Sequence, residues 1–308
     1  MAEERVATIR NPFDGRAVGE VAVQGGAAVD EAVAAASAAL EAGGLPTWER
    51  AAVLDRAAEA LAGRAEAFAR TIAEEAAKPL RTARGEVQRA VSTLRFSAAA
   101  ARTLAGEVVP MDASEAGVGK LGFTLRVPVG VVGAISPFNF PLNLVAHKVA
   151  PALAAGCPVV LKPAGQTPLS ALALRALLVD ELGLPPAWLQ VVTGPGSTVG
   201  QRLVEHPGVA MITFTGSPDV GWDIRRQAPR KKVTLELGNN APLIVHADAD
   251  WERAAAAVRM AGYSHAGQSC ISTQRVYVHR SLADRFVEAL VAGVETLVTG
   301  DPLDEATE

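Results

Sequence analysis

Two cysteines, Cys157 and Cys270, and a few polar residues set in apolar stretches hold the chemical capacity of this 308-residue chain. Cys270 closes the run His265-Ala266-Gly267-Gln268-Ser269-Cys270, where small and polar neighbours suit an accessible thiol and an adjacent helix start would favour a nucleophilic thiolate. A lone cysteine is more often a buried small apolar residue, and Cys157, flanked by Gly156 and Pro158, fits that description. Glu236 lies in Lys232-Val233-Thr234-Leu235-Glu236-Leu237-Gly238, whose alternation puts Thr234 and Glu236 on one strand face and Val233, Leu235 and Leu237 on the other. Such a face is either solvated or, because Gly238 follows at the carboxyl end of the strand, placed for a general base. Asn139, between a strand end and a helix start, is either a turn or cap residue or an amide donor aimed at an oxyanion. Two loops invite phosphate. The Gly194–Gly200 loop has the wrong spacing for GxGxxG, whereas Phe214-Thr215-Gly216-Ser217-Pro218 follows a strand and opens a helix with a Ser cap and Pro in the first turn.

Composition narrows the classes of function. A net charge of −4 and the absence of Lys/Arg clusters argue against nucleic acid. No apolar run approaches the roughly 18–20 residues of a membrane span, and the charged, Pro-containing start does not resemble a signal peptide. Two cysteines in dissimilar contexts make no disulfide framework, and with five His they form no ligand cluster, so a soluble, cytoplasmic protein without a metal is expected.

The elements that must position these residues fall into three textures. Residues 29–104 are Ala-rich and helix-periodic, with breaks at 43–46 and 78–79, and predict a layer of three helices. Residues 107–127 switch to β-type residues around a polar stretch and predict a hairpin standing apart. After Pro128, the strands VVGAIS, CPVVLK, LQVVT, AMITFT, KVTLEL and PLIVH alternate with helices near 141–155, 168–182, 197–205 and 218–227. That alternation predicts an α/β fold, a parallel sheet with helices on both faces. A helix over 250–263, the strand TQRVYVH and a helix over 282–297 follow, and the chain runs out in the polar stretch GDPLDEATE with no closing element expected.

Taken in order, SPFNFPLNL (136–144), LKPAGQTP (161–168), FTGSPDVG (214–221), LELGNNAP (235–242) and GQSCISTQRVYVH (267–279) resemble the aldehyde dehydrogenase superfamily, and NPFDGRAVGEV (11–21) is similar to its opening strand. The resemblance implies a variant Rossmann cofactor domain over 1–106 and 128–237. It also implies an oligomerisation arm over 107–127 and the amino-terminal part of a catalytic domain over 238–308. It matches Cys270 to the nucleophile, Glu236 to the general base, Asn139 to the oxyanion donor and Lys162 to a cofactor-ribose contact that supports the site. It places NAD or NADP against Ser136, Pro137 and Phe138, against Gly165 and Gly196, against Phe214, Gly216, Ser217 and Val220, and against Leu237 and Gly238. Helical spacing from Asn139 would set Phe140, Leu144 and His147 along one face, where the family lines its substrate tunnel, and Ser269 and Ile271 flank the nucleophile.

The reaction so implied is oxidation of an aldehyde to a carboxylic acid through a Cys270 thioester, hydrolysed with Glu236. The alternatives are a fragment that binds cofactor without turnover and a dehydrogenase that passes the acyl group to coenzyme A, against which Glu236 argues. A thiol hydrolase using Cys270 with His265 lacks supporting spacing. Gly165 stands where NAD-specific members carry a Glu on the ribose 2′-hydroxyl, so NADP+ is expected to be tolerated. Asn239-Asn240 and Ser269-Cys270-Ile271 resemble the branch acting on small polar aldehydes, and His147 suggests a polar or anionic one. Members run on for roughly 150–180 residues past a position like Glu308, set against ordinary domain sizes, and assemble as homodimers or homotetramers.

Overall fold

The computed structural model describes residues 5–308. A two-stranded antiparallel ribbon, β1 (Val6–Arg10) with β2 (Ala17–Ala22), leads into α1 (Gly26–Glu41), α2 (Thr47–Gly63), α3 (Ala65–Ala76) and α4 (Leu80–Thr103). Four helices stand where three are expected, because the chain bends at Arg64 (φ −115°, ψ 21°), directly after Gly63 and without a proline to announce it. The expected hairpin is present as β3 (Val108–Val109) antiparallel to β4 (Gly122–Phe123), with both partners short and solvent-facing.

The centre is a five-stranded, wholly parallel sheet of β5 (Val131–Ile135), β6 (Val159–Lys162), β7 (Leu189–Val191), β8 (Val209–Gly216) and β9 (Lys232–Leu237), ordered β7-β6-β5-β8-β9. α5 (Asn143–Ala154), α6 (Leu169–Ala176), α7 (Gln201–Glu205) and α8 (Pro218–Gln227) connect them, with a π turn extending α6 and another opening α7. Every residue of β5 and β6 is buried, which follows from helices covering both faces and explains their unbroken apolar sequence. Alternation sorts them. Val132, Ala134, Val159 and Leu161 join the core beneath α2–α6, whereas Val131, Ile135, Val160 and Phe214 join the core beneath α1, α7 and α8.

Beyond Gly238, β10 (Pro242–Val245) and β11 (Arg275–Val278) form a two-stranded parallel sheet, with α9 (Trp251–Tyr263) and α10 (Ala283–Glu295) around a small core of Val245, Ala255, Val258, Leu282 and Phe286. Residues 300–308 form no further helix or strand. This tail returns to α4, where the Leu80 N–H donates to the Pro302 carbonyl at 2.8 Å and Arg84 pairs with Glu305 at 2.6 Å.

Candidate active site

In an open parallel sheet ligands gather beyond the carboxyl ends of the strands, at the point where the strand order reverses. Here that point lies between β5 and β8, whose neighbours in sequence depart to opposite sides. The loop after β5 carries Ser136 to Phe140, the loop after β8 carries Gly216 and Ser217, and the neighbouring ends of β6 and β9 carry Lys162 and Glu236.

Asn139 reaches out of this edge to the cysteine loop, its Nδ2 donating to the Gln268 carbonyl at 2.8 Å. This is neither a local turn bond nor a cap. The amino end of α5 is capped instead by Glu86 of α4, whose Oε1 accepts from Leu142 N–H at 2.9 Å and Asn143 N–H at 3.0 Å. Asn139 Oδ1 is buried without a partner. Cys270 is half-buried in a turn between the loop and β11, so no helix begins beside it as the sequence suggested. The loop is backbone-strained: His265 (φ 52°), Ala266 (φ 54°) and Gly267 (φ 73°) are successively left-handed, a conformation costly for the two that are not glycine. His265 is buried, its Nε2 has no partner, and its pKa is lowered to about 4, first by burial and then by the Lys78 charge. His265 makes no side-chain hydrogen bond to Cys270, and burial leaves its imidazole a weak base.

Glu236 follows the alternation read from its sequence. Thr234 and Glu236 are exposed while Val233, Leu235 and Leu237 are half-buried against the α8-side core. Parallel register sets Thr215 beside Glu236 and Thr213 beside Thr234, all on the face that α5 covers. From α5, Lys148 donates to Thr215 Oγ1 at 2.7 Å and Thr213 Oγ1 at 3.2 Å. Burial brings its pKa down to about 8, opposed by the Glu236 carboxylate. Sequence reading passed over Lys148, although a lysine among Val145, Ala146, Val149 and Ala150 on an apolar stripe was a signal.

The remaining loops leave room for a large anionic ligand. Ser217 stands at the amino end of α8 with Pro218 at the first position, but its side chain makes no capping bond, so the expected Ser cap is one of position only. Gly216 is required by packing, since a Cβ there would meet the Phe214 ring at 2.5 Å. Gly165 and Gly196 face open space with nothing within 4 Å of a Cβ, and Gly238 meets only Pro218, at 3.9 Å. Lys162 is buried and bonded only to the Pro163 carbonyl at 3.0 Å, and desolvation lowers its pKa. Ser136 Oγ is buried without a partner beside Pro137, while Phe138 and Val220 expose apolar surface and Leu237 is half-buried. A cavity of about 1020 Å³ reaches Phe138, Gly165, His265 and Gln268 at one end but is walled mostly by β1, the start of α4, α9 and residues 294–308, and Asn139, Lys162, Glu236 and Cys270 do not line it.

The residues matched to substrate do not share one surface. Phe140 turns inward, with Lys78 Nζ 3.7 Å from its ring centroid and His265 edge-on at 6.3 Å. Leu144 is half-buried. His147 opens instead on a groove of about 650 Å³ between α4 and α5, shared with Arg89, Ser92 and Thr93. The difference arises because Phe140 precedes α5 and packs beneath the turn. Ser269 is half-buried and Ile271 is exposed beside Cys270. Among the described residues no group of three His, Cys, Asp or Glu could hold a metal ion, and no helix is long and apolar enough to cross a membrane.

These motifs on this fold define a known class: the aldehyde dehydrogenase family model matches residues 1–308, and the chain belongs to that family. It is 48% identical over 300 residues to a 3-sulfolactaldehyde dehydrogenase of Priestia aryabhattai, covering 97% of this chain and 62% of that protein. To aspartate-semialdehyde dehydrogenase 1 of Pseudomonas canavaninivorans it is 43% identical over 296 residues, covering 96% and 63%. A solved NADP-dependent glyceraldehyde-3-phosphate dehydrogenase from Bacillus halodurans C-125, complexed with NADP, superposes with a TM-score of 0.94 at 40% identity, covering 98% of this chain and 63% of that one. The chain thus spans less than two thirds of the length of these relatives.

Proposed function

We propose that this chain supplies the cofactor site, nucleophile and base of an NAD(P)+-dependent dehydrogenase that oxidises small anionic aldehydes to carboxylic acids. The observation that carries the reading is the Asn139–Gln268 hydrogen bond, which joins the β5 loop to the backbone two residues before Cys270. A side-chain amide has two N–H donors. One is spent on Gln268 and fixes the group, leaving the second to meet an oxyanion.

In this reading Cys270 Sγ bonds to the aldehyde carbon, and the carbonyl oxygen, now an oxyanion, accepts from Asn139 Nδ2 and the Cys270 N–H. As the carbonyl re-forms the carbon loses hydride, and a cofactor held by Ser136, Lys162 and the amino end of α8 would supply the oxidised nicotinamide that accepts it. A thioester is left on Cys270. Glu236 takes a proton from water as its oxygen bonds to the thioester carbon, the C–S bond breaks, and the acid and the thiolate separate. Lys148 lies within the Glu236 field and balances its charge. No coenzyme A requirement is expected.

The cofactor reading fits the open loops. The amino end of α8 is free for a pyrophosphate, Lys162 and Ser136 for ribose hydroxyls, and Phe138, Val220 and Leu237 for apolar ring edges. Open space at Gly165 admits a 2′-phosphate, so kcat/KM with NADP+ should fall within about tenfold of that with NAD+, about 1.4 kcal/mol. A large NAD+ preference would count against this.

Three relatives are named for aldehydes that bear a sulfonate, a carboxylate and a phosphate. Arg89, without an ion-pair or hydrogen-bond partner for its guanidinium among the described residues, meets His147 across their groove and offers such an acid group its counter-charge. Residues 1–106 and 128–237 form the cofactor domain in this reading, and 238–308 begin the catalytic one. The exposed Leu121, Phe123 and Leu125 of the 107–127 arm join copies into a homodimer or homotetramer, in the cytoplasm.

The deciding experiment follows formation of reduced nicotinamide by the natural full chain with succinic semialdehyde and with propionaldehyde, beside Cys270→Ala. Turnover that Cys270→Ala lowers by about 10⁴-fold or more supports the reading. Turnover that survives the substitution, or none with either aldehyde, overturns it.

A further inference from the structure

Below the candidate site lies an ion pair that the chemistry does not use. Lys78, between α3 and α4, and Glu86 of α4 are wholly buried and bonded at 2.5 Å. Each also touches the loop that carries Asn139. Glu86 binds the amides of Leu142 and Asn143, and Lys78 lies 3.7 Å from the centroid of Phe140, whose ring meets His265 of the cysteine loop at 70°. Two routes therefore lead from the pair to the reacting groups, one through the start of α5 to Asn139, the other through Phe140 and His265 to the cysteine loop.

We propose that the Lys78–Glu86 pair is a positioning device that sets the distance between the Asn139 amide and Cys270, rather than a pair serving stability alone. A buried pair can be replaced by apolar side chains at little cost to stability or even with a gain, so stability is a weak account of this one. Its second ends are the informative part. The carboxylate spends its other oxygen on two amides three and four residues after Asn139, and the ammonium faces the ring of the next residue. Burial and, after it, the Lys78 charge oppose protonation of His265, whose ring meets Phe140 edge-on. Small displacements of an oxyanion donor cost rate steeply, so a fixed support beneath it has a catalytic consequence.

The proposal rests on Asn139 as the oxyanion donor and is tested apart from it. In the natural full chain, Lys78→Met, Asn139→Ala and the double variant are compared using succinic semialdehyde and NADP+. Lys78→Met is expected to lower kcat by about 10–100-fold with KM nearly unchanged in the parent, and by no more than about twofold in the Asn139→Ala background. Thermal stability should change equally in both backgrounds. Independently of turnover, amide hydrogen exchange over 264–270 should accelerate about tenfold or more in Lys78→Met while β6 stays protected. If Lys78→Met fails to fold, Lys78→Met/Glu86→Gln, which removes both charges and keeps an acceptor for the α5 amides, is measured in its place. Equal losses of kcat in both backgrounds, or exchange unaltered over 264–270 or raised throughout the chain, would overturn the proposal.

Discussion

The five-stranded sheet and the β10–β11 pair hold opposite halves of one candidate site by different means. β5 and β6 are buried along their whole length, with one core on each face, and deliver Ser136, Asn139 and Lys162 from a frame closed on all sides. β10 and β11 bury one face over a five-residue core, and Ile244 and Tyr277 point to solvent. The cysteine loop between α9 and β11 therefore depends on what it touches across the cleft, Asn139 and Phe140, more than on its own sheet. A dry frame can carry buried charge, and this one does: Glu75 caps α6 through Leu169 and Ser170, as Glu86 caps α5.

Removing one charge from the dry frame is the severest way to break the comparison. Glu86→Ala leaves Lys78 buried and unpaired and should cost about 3–5 kcal/mol in chemical denaturation, whereas Glu236→Ala on the exposed edge strand should stay within about 0.5 kcal/mol. Asn139→Ala, which cuts the tie between the halves, should lower kcat about 10²–10³-fold, or 2.7–4 kcal/mol of barrier, in steady-state assays. Leu161→Ala, fully buried in the large core, should cost about 2–5 kcal/mol, and Ile244→Ala on the open face of β10 within about 0.5 kcal/mol.

The buried frame should also show itself in a pH dependence. Burial raises Glu75 to about 7, so between its unfolded value near 4.5 and 7 the folded state holds the extra proton, and stability from this group falls as pH rises. His265, lowered to about 4, acts oppositely and loses stability as pH falls from 6.5. Glu75→Gln should therefore unmask a rise in stability with pH across 4.5–6.5 that the parent partly cancels. Identical pH profiles for parent and variant would remove Glu75 from this account.

How much could be read beforehand depended on whether a residue advertised itself locally. The face of β9 was legible because an edge strand keeps a strict alternation. Motif order pointed to Cys270, Asn139 and Gly216, but gave no sign of the bond that joins the first two loops. The α2–α3 bend was not legible, since Gly63-Arg64 carries no proline. Glu75, Glu86 and Lys148 were missed because charged residues on amphipathic helices read as solvated, and Lys78 because Lys78-Pro79 reads as a break between helices. Their positions held the signal: Glu86 falls on the stripe of Leu80, Ala83, Val87 and Ala90, and Glu75 on that of Phe68 and Ile72.

The returning tail has a consequence for the order of folding. Arg84 and Glu305 are 221 residues apart, and Arg259 and Arg81 both hold Glu308. Contacts of such span close late, after the local helices have formed. They converge on the first turn of α4, just beyond Lys78. Residues 301–308 are then tied down beside the buried pair beneath the candidate site, so docking of residues 238–308 onto α4 is a late step that also settles the surroundings of that pair.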